Sequence, residues 1–198
     1  PCSPGEREAA GRIARRAVIL GVGILIVTTF ARSTFHAAMM NYYQYYYVER
    51  FAATIADAQV PLFLFSLCGV IGTLVGGPLA DRFGAKKIII GSIAGASPLA
   101  VSLPHLPQNL VIPVMMLTGL TLMSGFTVMV VYTQMLMPKH IGTASGLIVG
   151  FSFGMGAIGA VILGMLIDTF GLRPVFIGAS LLPLIGLVTF KLPKPGRS

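Results

Sequence analysis

The chain has 198 residues, 24 of them glycine and 13 proline, and only 10% are charged. A soluble domain carries about 25% charged residues, so the mean hydropathy of +0.86 excludes a water-soluble fold and indicates an all-α protein that crosses the membrane repeatedly. The net charge of +8 is parcelled into short breaks between apolar runs, which suits membrane orientation and lipid headgroups, and no nucleic-acid partner is expected.

The chain opens on Pro1-Cys2-Ser3-Pro4-Gly5, followed by Glu6, Glu8 and four arginines. Residues 1–16 read as a cytoplasmic linker, the end of a loop arriving from a preceding segment. Six apolar stretches follow, at 17–41, 58–80, 87–106, 109–136, 141–167 and 172–191. Each can supply the roughly 20 residues that cross a bilayer core. Each must be helical, because backbone groups in lipid have no water to bond. The domain is therefore 17–191, with 192–198 as a cytoplasmic tail. The first stretch imitates a signal peptide, but it is too long and five more follow.

The first stretch carries Arg32 and, one turn on, His36. Ionisable groups at membrane depth are rare and usually face a cavity. Arg32 is the candidate contact for an anionic substrate. His36, an imidazole with an ordinary pKa near 6.5, is the candidate proton carrier. The bland alternatives are an arginine that snorkels to the interface and a histidine that bonds a carbonyl. Tyr42, Tyr43, Tyr45, Tyr46 and Tyr47 then read as an aromatic belt at the far interface.

Cys68, in the second stretch, reads as a small packing residue, and with Cys2 it makes no disulfide framework. The second stretch ends in Gly77-x-x-x-Asp81-Arg82-x-Gly84-x-Lys86-Lys87. The glycines suit a sharp reversal, and Asp81 can accept hydrogen bonds from a neighbouring helix N-terminus. Arg82, Lys86 and Lys87 hold the turn at headgroups. An ordinary orienting loop would look similar. The third and fourth stretches are joined by Pro104-His105-Leu106-Pro107, and the fourth and fifth by Pro138-Lys139-His140. Such short loops leave no room for a soluble domain.

The fifth stretch begins with Gly142, Gly146, Gly150 and Gly154, one small residue every four, a pattern that lets helices approach closely. Gly156, Gly159 and Gly164 follow. Gly164-x-x-x-Asp168-x-x-Gly171 repeats the Gly77/Asp81/Gly84 spacing three spans later, on the opposite membrane face. An inverted three-plus-three repeat, a common transporter plan, places copies this way; chance recurrence of a Gly/Asp turn is the alternative. Gly154-Met155-Gly156-Ala157-Ile158-Gly159 fits G-x-G-x-x-G but lacks a preceding strand and a following acid, which argues against a dinucleotide site. Ser145-Gly146 lacks the first glycine of a membrane serine-protease motif, and Ser145 lies toward the opposite face from His36. No enzyme activity, metal or cofactor is expected.

With six spans both termini share one side. Arg7, Arg12, Arg15, Arg16, Arg82, Lys86, Lys87, Lys139, Lys191, Lys194 and Arg197 lie there, against Arg50 and Arg173 on the other. The positive-inside rule makes the first side cytoplasmic. No carboxylate sits mid-span, so proton coupling would fall to His36 or to a group outside this chain.

Several segments carry a resemblance: Asn41-Tyr42-Tyr43-Gln44-Tyr45-Tyr46, Asp57-Ala58-Gln59, the run Gly72 to Gly84, Val131-Tyr132-Thr133-Gln134, Ser145-Gly146-Leu147 and Gly150 to Gly156. From about residue 17 onward they resemble the carboxy-terminal half of the fosmidomycin-resistance type of exporter in the major facilitator superfamily (MFS). The resemblance implies a six-helix half-bundle of a twelve-helix transporter in a bacterial inner membrane. It also implies proton-coupled export of a small anionic drug, and a latching role for the Asp81 turn. The missing amino-terminal six-helix half, or a second copy, would then be a partner. Export of a sugar or other metabolite, and a stand-alone structural or regulatory subunit, remain as alternatives.

Overall fold

The computed structural model describes residues 4–138 and 140–191, with side chains over 19–138 and 140–190. Pro1 to Ser3, Lys139 and the tail at 192–198 lie outside the described residues, as do the side chains of the whole expected linker, 1–16. The elements are α1 (Pro4–Phe51), α2 (Ile55–Phe83), α3 (Ala85–Ser102), α4 (Gln108–Leu136), α5 (Ile141–Phe170), α6 (Leu172–Ser180) and α7 (Leu182–Ile185). Short 3-10 segments cover Leu103–His105 and Gly186–Lys191. No strand occurs among the described residues. Six helical stretches are long and apolar enough to span a membrane, and the architecture is that of an all-α half-bundle.

The first span runs further than its composition suggested, to Phe51 rather than 41. Nothing breaks it: Asn41, a frequent helix terminator, donates its Nδ2 to the Ala37 carbonyl at 2.8 Å and stays within the helix. The chain leaves α1 at Ala52, whose φ is +49°, and re-enters helix at Thr54. There Thr54 and Asp57 form a reciprocal capping box that opens α2. The tyrosines of the expected belt turn mostly inward. Tyr43, Tyr46 and Tyr47 are buried, and Tyr43 and Tyr46 pack on Phe176 of α6; only Tyr45 of the five is exposed. These residues hold helices together.

The last span departs in the other direction. A single helix over 172–191 was expected, but α6 stops at Ser180. Pro183 has no N–H to offer the carbonyl four residues back. The chain resumes as α7 and then tightens into 3-10 geometry.

The two repeated turns close alike. Gly84 (φ 93°) donates its N–H to the Ala80 carbonyl at 2.8 Å, and Gly171 (φ 87°) donates to Ile167 at 2.8 Å. Each ends one helix, and the next helix begins one residue later. These are the only positive-φ glycines among the described residues, at a backbone conformation that side chains tolerate poorly. Shared geometry three spans apart is what an inverted three-plus-three repeat produces.

Packing is tightest between α2 and α4. A Cβ at Gly72, Gly76 or Gly119 would collide with the carbonyl oxygen of Leu120, Ser124 or Phe65 respectively. In lipid there is no hydrophobic force between helices, so this backbone-to-backbone closeness is itself the attraction. Two apolar clusters flank the middle of the bundle. One contains Phe35, Met39, Tyr43, Phe65 and Met115; the other contains Leu25, Ile89, Ile93, Met129 and Tyr132. Between them along α1 lies a buried polar run of Thr28, Thr29, Arg32, Ser33 and Thr34.

Candidate functional site

Arg32, His36 and Met40 recur every four residues and so share one face of α1. All three line a cavity of about 540 Å³. Met123 and Phe126 of α4 form its second wall, and Ser152, Phe153, Gly156, Ala157 and Ala160 of α5 form the third. The small residues of α5 keep that wall thin and make the space.

Arg32 is only 4% exposed. Its Cζ lies 4.5 Å from the centre of the Phe126 ring, and Nη1 points to Met123 Sδ at 3.8 Å. The Nε has no hydrogen-bond partner, and no acidic side chain among the described residues pairs with the guanidinium. The arginine therefore does not snorkel outward; it is held inside the bundle between a ring and a thioether. A buried cation without a counter-charge is costly. An anion entering the cavity removes that cost. His36 tilts against Phe65 at 5.9 Å between ring centres and has no hydrogen bond to a described residue, so its nitrogens remain available beside Arg32.

The wall between α1 and α5 is closed by contact with glycine. Tyr42 donates its hydroxyl to the Ala160 carbonyl at 2.7 Å, and Gly164 leaves the room that this hydroxyl occupies. Gly156 lies against Ser33 and Gly159 against Thr34. By contrast, Gly142, Gly146, Gly150 and Gly154 meet nothing within 4 Å among the described residues outside their own helix. Their strip faces away from the bundle.

The two repeated turns lie apart from the cavity. Asp81, Arg82 and Lys87 are exposed and Lys86 is half-buried. Asp81 has no hydrogen bond or ion pair to a described residue, and Gly77 stands in open space. Asp168 and Gly171 are likewise exposed at the other end of the bundle. Ser145 takes a hydrogen bond from Gln134 at 2.6 Å and gives one to the Ile141 carbonyl; it is not a lining residue of the His36 cavity.

Sequence reasoning found both ionisable members of the cavity but missed Met123, Phe126 and Tyr42. Met123 and Phe126 are apolar residues in an apolar helix, so only their three-residue spacing could have put them on one face. Tyr42 was assigned to the interface because its neighbours are tyrosines too.

The family model of the Major Facilitator Superfamily matches residues 10–198. An uncharacterised MFS-type transporter of Bacillus subtilis is 51% identical over 156 residues, covering 79% of this chain and 38% of its own length. The fosmidomycin resistance protein of Escherichia coli is 37% identical over 179 residues, covering 90% of this chain and 44% of its own length. A 4-hydroxybenzoate transporter of Pseudomonas putida is 31% identical over 133 residues, covering 63% of this chain and 29% of its own length. The chain thus spans less than half the length of these relatives.

Proposed function

The chain belongs to the major facilitator superfamily, and from that premise we propose that it is the carboxy-terminal half of a secondary-active exporter of a small anionic solute, driven by protons. The observation that carries this reading is Arg32, a buried guanidinium with a free Nε in a 540 Å³ cavity and no acid beside it. A phosphonate or carboxylate supplies the missing counter-charge through charge-assisted hydrogen bonds. His36 takes up or releases a proton on the same face. The name of the 37%-identical relative, a fosmidomycin resistance protein, supports a phosphonate drug and outward transport.

The other parts take their roles around that site. The opposing half of the cavity comes from an amino-terminal six-helix half, or from a second copy. The basic ends of the chain face the cytoplasm in a bacterial inner membrane. Asp81, exposed and without a partner among the described residues, latches onto the opposing half in one state of the cycle, and the outward strip of Gly142, Gly146, Gly150 and Gly154 lies against that half.

A second reading keeps the mechanism and changes the cargo. Phe126 beside Arg32 makes an aromatic platform, and two relatives are named for aromatic acids, 4-hydroxybenzoate and gallate. Proton-gradient-driven flux in proteoliposomes of the full-length protein separates the two. Transport of fosmidomycin and not of hydroxybenzoates supports the first; the reverse supports the second. Transport of neutral sugars alone would overturn both.

A further inference from the structure

The two basic residues at the end of the bundle opposite Lys86 and Lys87 converge. Arg50, in the last turn of α1, and Arg173, in the first turn of α6, line one cavity of about 310 Å³ together with Tyr46 and Glu49. Arg50 is aimed by its neighbours: Nη1 donates to the Tyr46 hydroxyl at 2.7 Å and Nη2 to the Leu106 carbonyl at 3.0 Å. A guanidinium has five N–H donors, so Arg50 is fixed in place with donors to spare. Arg173 has no hydrogen bond or ion pair to a described residue. It also sits at a helix N-terminus, where the dipole opposes a cation and favours an anion. No side chain caps that terminus.

Two like charges held around one space, one of them on the wrong end of a helix, make an arrangement that an anion relieves. We propose that Arg50 and Arg173 form a second, peripheral anion site, a staging point for the solute at the mouth of the bundle. Arg50 lies 18 positions beyond Arg32 on the same helix, about 27 Å at 1.5 Å per residue, so the two sites are separate. Glu49 at the rim sets the chemistry further. Its carboxylate accepts a hydrogen bond from a hydroxyl or N–H on the ligand, and its charge keeps affinity low enough for release. The occupant is a small phosphonate or carboxylate that also carries a hydrogen-bond donor.

The test follows methylphosphonate binding to the purified full-length protein by phosphorus NMR line broadening. In an Arg32→Gln background, which removes the central cation, methylphosphonate still binds weakly. Adding Arg173→Gln lowers that remaining affinity about tenfold, the scale of a lost charged hydrogen bond. Adding Glu49→Gln instead raises it, because the site then carries two positive charges and no negative one. Arg173 is exposed, so its substitution leaves folding intact, and Arg173→Lys keeps most of the affinity. Loss of all binding in Arg32→Gln alone, or no further loss when Arg173→Gln is added to Arg32→Gln, would overturn the second site. Flux loss in Arg32→Gln bears on the central cavity and not on this one.

Discussion

The α2–α4 contact and the amino-terminal part of α5 are both rich in glycine, yet they do opposite things. In α2 and α4, Gly72, Gly76 and Gly119 bring backbones together so closely that a Cβ would strike a carbonyl oxygen. In α5, Gly142, Gly146, Gly150 and Gly154 meet no described residue outside their own helix. Burial follows the same division: only 22% of the apolar stretch of α5 is buried inside the bundle, against 56% for the first span. Glycine spacing alone therefore says that a helix can be approached, not that it is. The α2–α4 seam is a tight joint of this half-bundle; the α5 strip is a smooth outward surface.

Substitution separates the two directly. Gly72→Leu or Gly119→Leu has no space to fill and no flexible neighbour to move, since the obstacle is backbone. Overpacking of this kind costs about 1–3 kcal/mol and occasionally more, so we expect little folded protein by size-exclusion chromatography in detergent. Gly150→Leu should give a normal yield and elution position, its effect appearing only as lost transport in the full-length protein. Equal folding defects at Gly72 and Gly150 would abolish the distinction.

The paired turns come next in size. Gly84→Ala and Gly171→Ala each force a side chain into a backbone region that is essentially glycine's, at a cost of order 1–3 kcal/mol. Because the two turns share geometry, their thermal shifts should match. A large shift at one and none at the other would break the repeat.

Tyr42→Phe removes one hydrogen bond between α1 and α5, about 1 kcal/mol. Gly164→Ala, by displacing the same hydroxyl, should lower the melting temperature by a similar amount, and the double variant should add little. Additive losses would show that the two positions act independently.

The smallest effect on stability belongs to Asp81→Asn. The side chain is exposed and bonds to no described residue, so the melting temperature should stay unchanged. Under the proposed latch onto an opposing half, export should fall. Wild-type export rates would remove the latch role.

The legibility of the molecule in its sequence was uneven for identifiable reasons. Span number, the repeated turns and the pair Arg32/His36 were readable, because charge is scarce in lipid and positive-φ glycines leave a spaced signature. The end of α1 was not, because Asn41 bonds within the helix and the tyrosines after it look like interface residues while packing on Phe176. The break in the last span was hidden in Pro183, although Pro61, Pro78, Pro98 and Pro113 sit inside unbroken helices. The walls facing Arg32 were invisible, since Met123 and Phe126 differ in no local way from the apolar residues that pack elsewhere.

The account stands on an anion meeting Arg32, and equilibrium binding of fosmidomycin to the full-length protein tests that without involving coupling or conformational change. Replacing a charged hydrogen-bond donor is worth about 1.5–3 kcal/mol, so Arg32→Gln should weaken binding at least tenfold. Arg32→Lys should retain part of the affinity, keeping the charge but losing the planar fork. An Arg32→Gln protein that is well folded and binds as tightly as wild type would contradict the account.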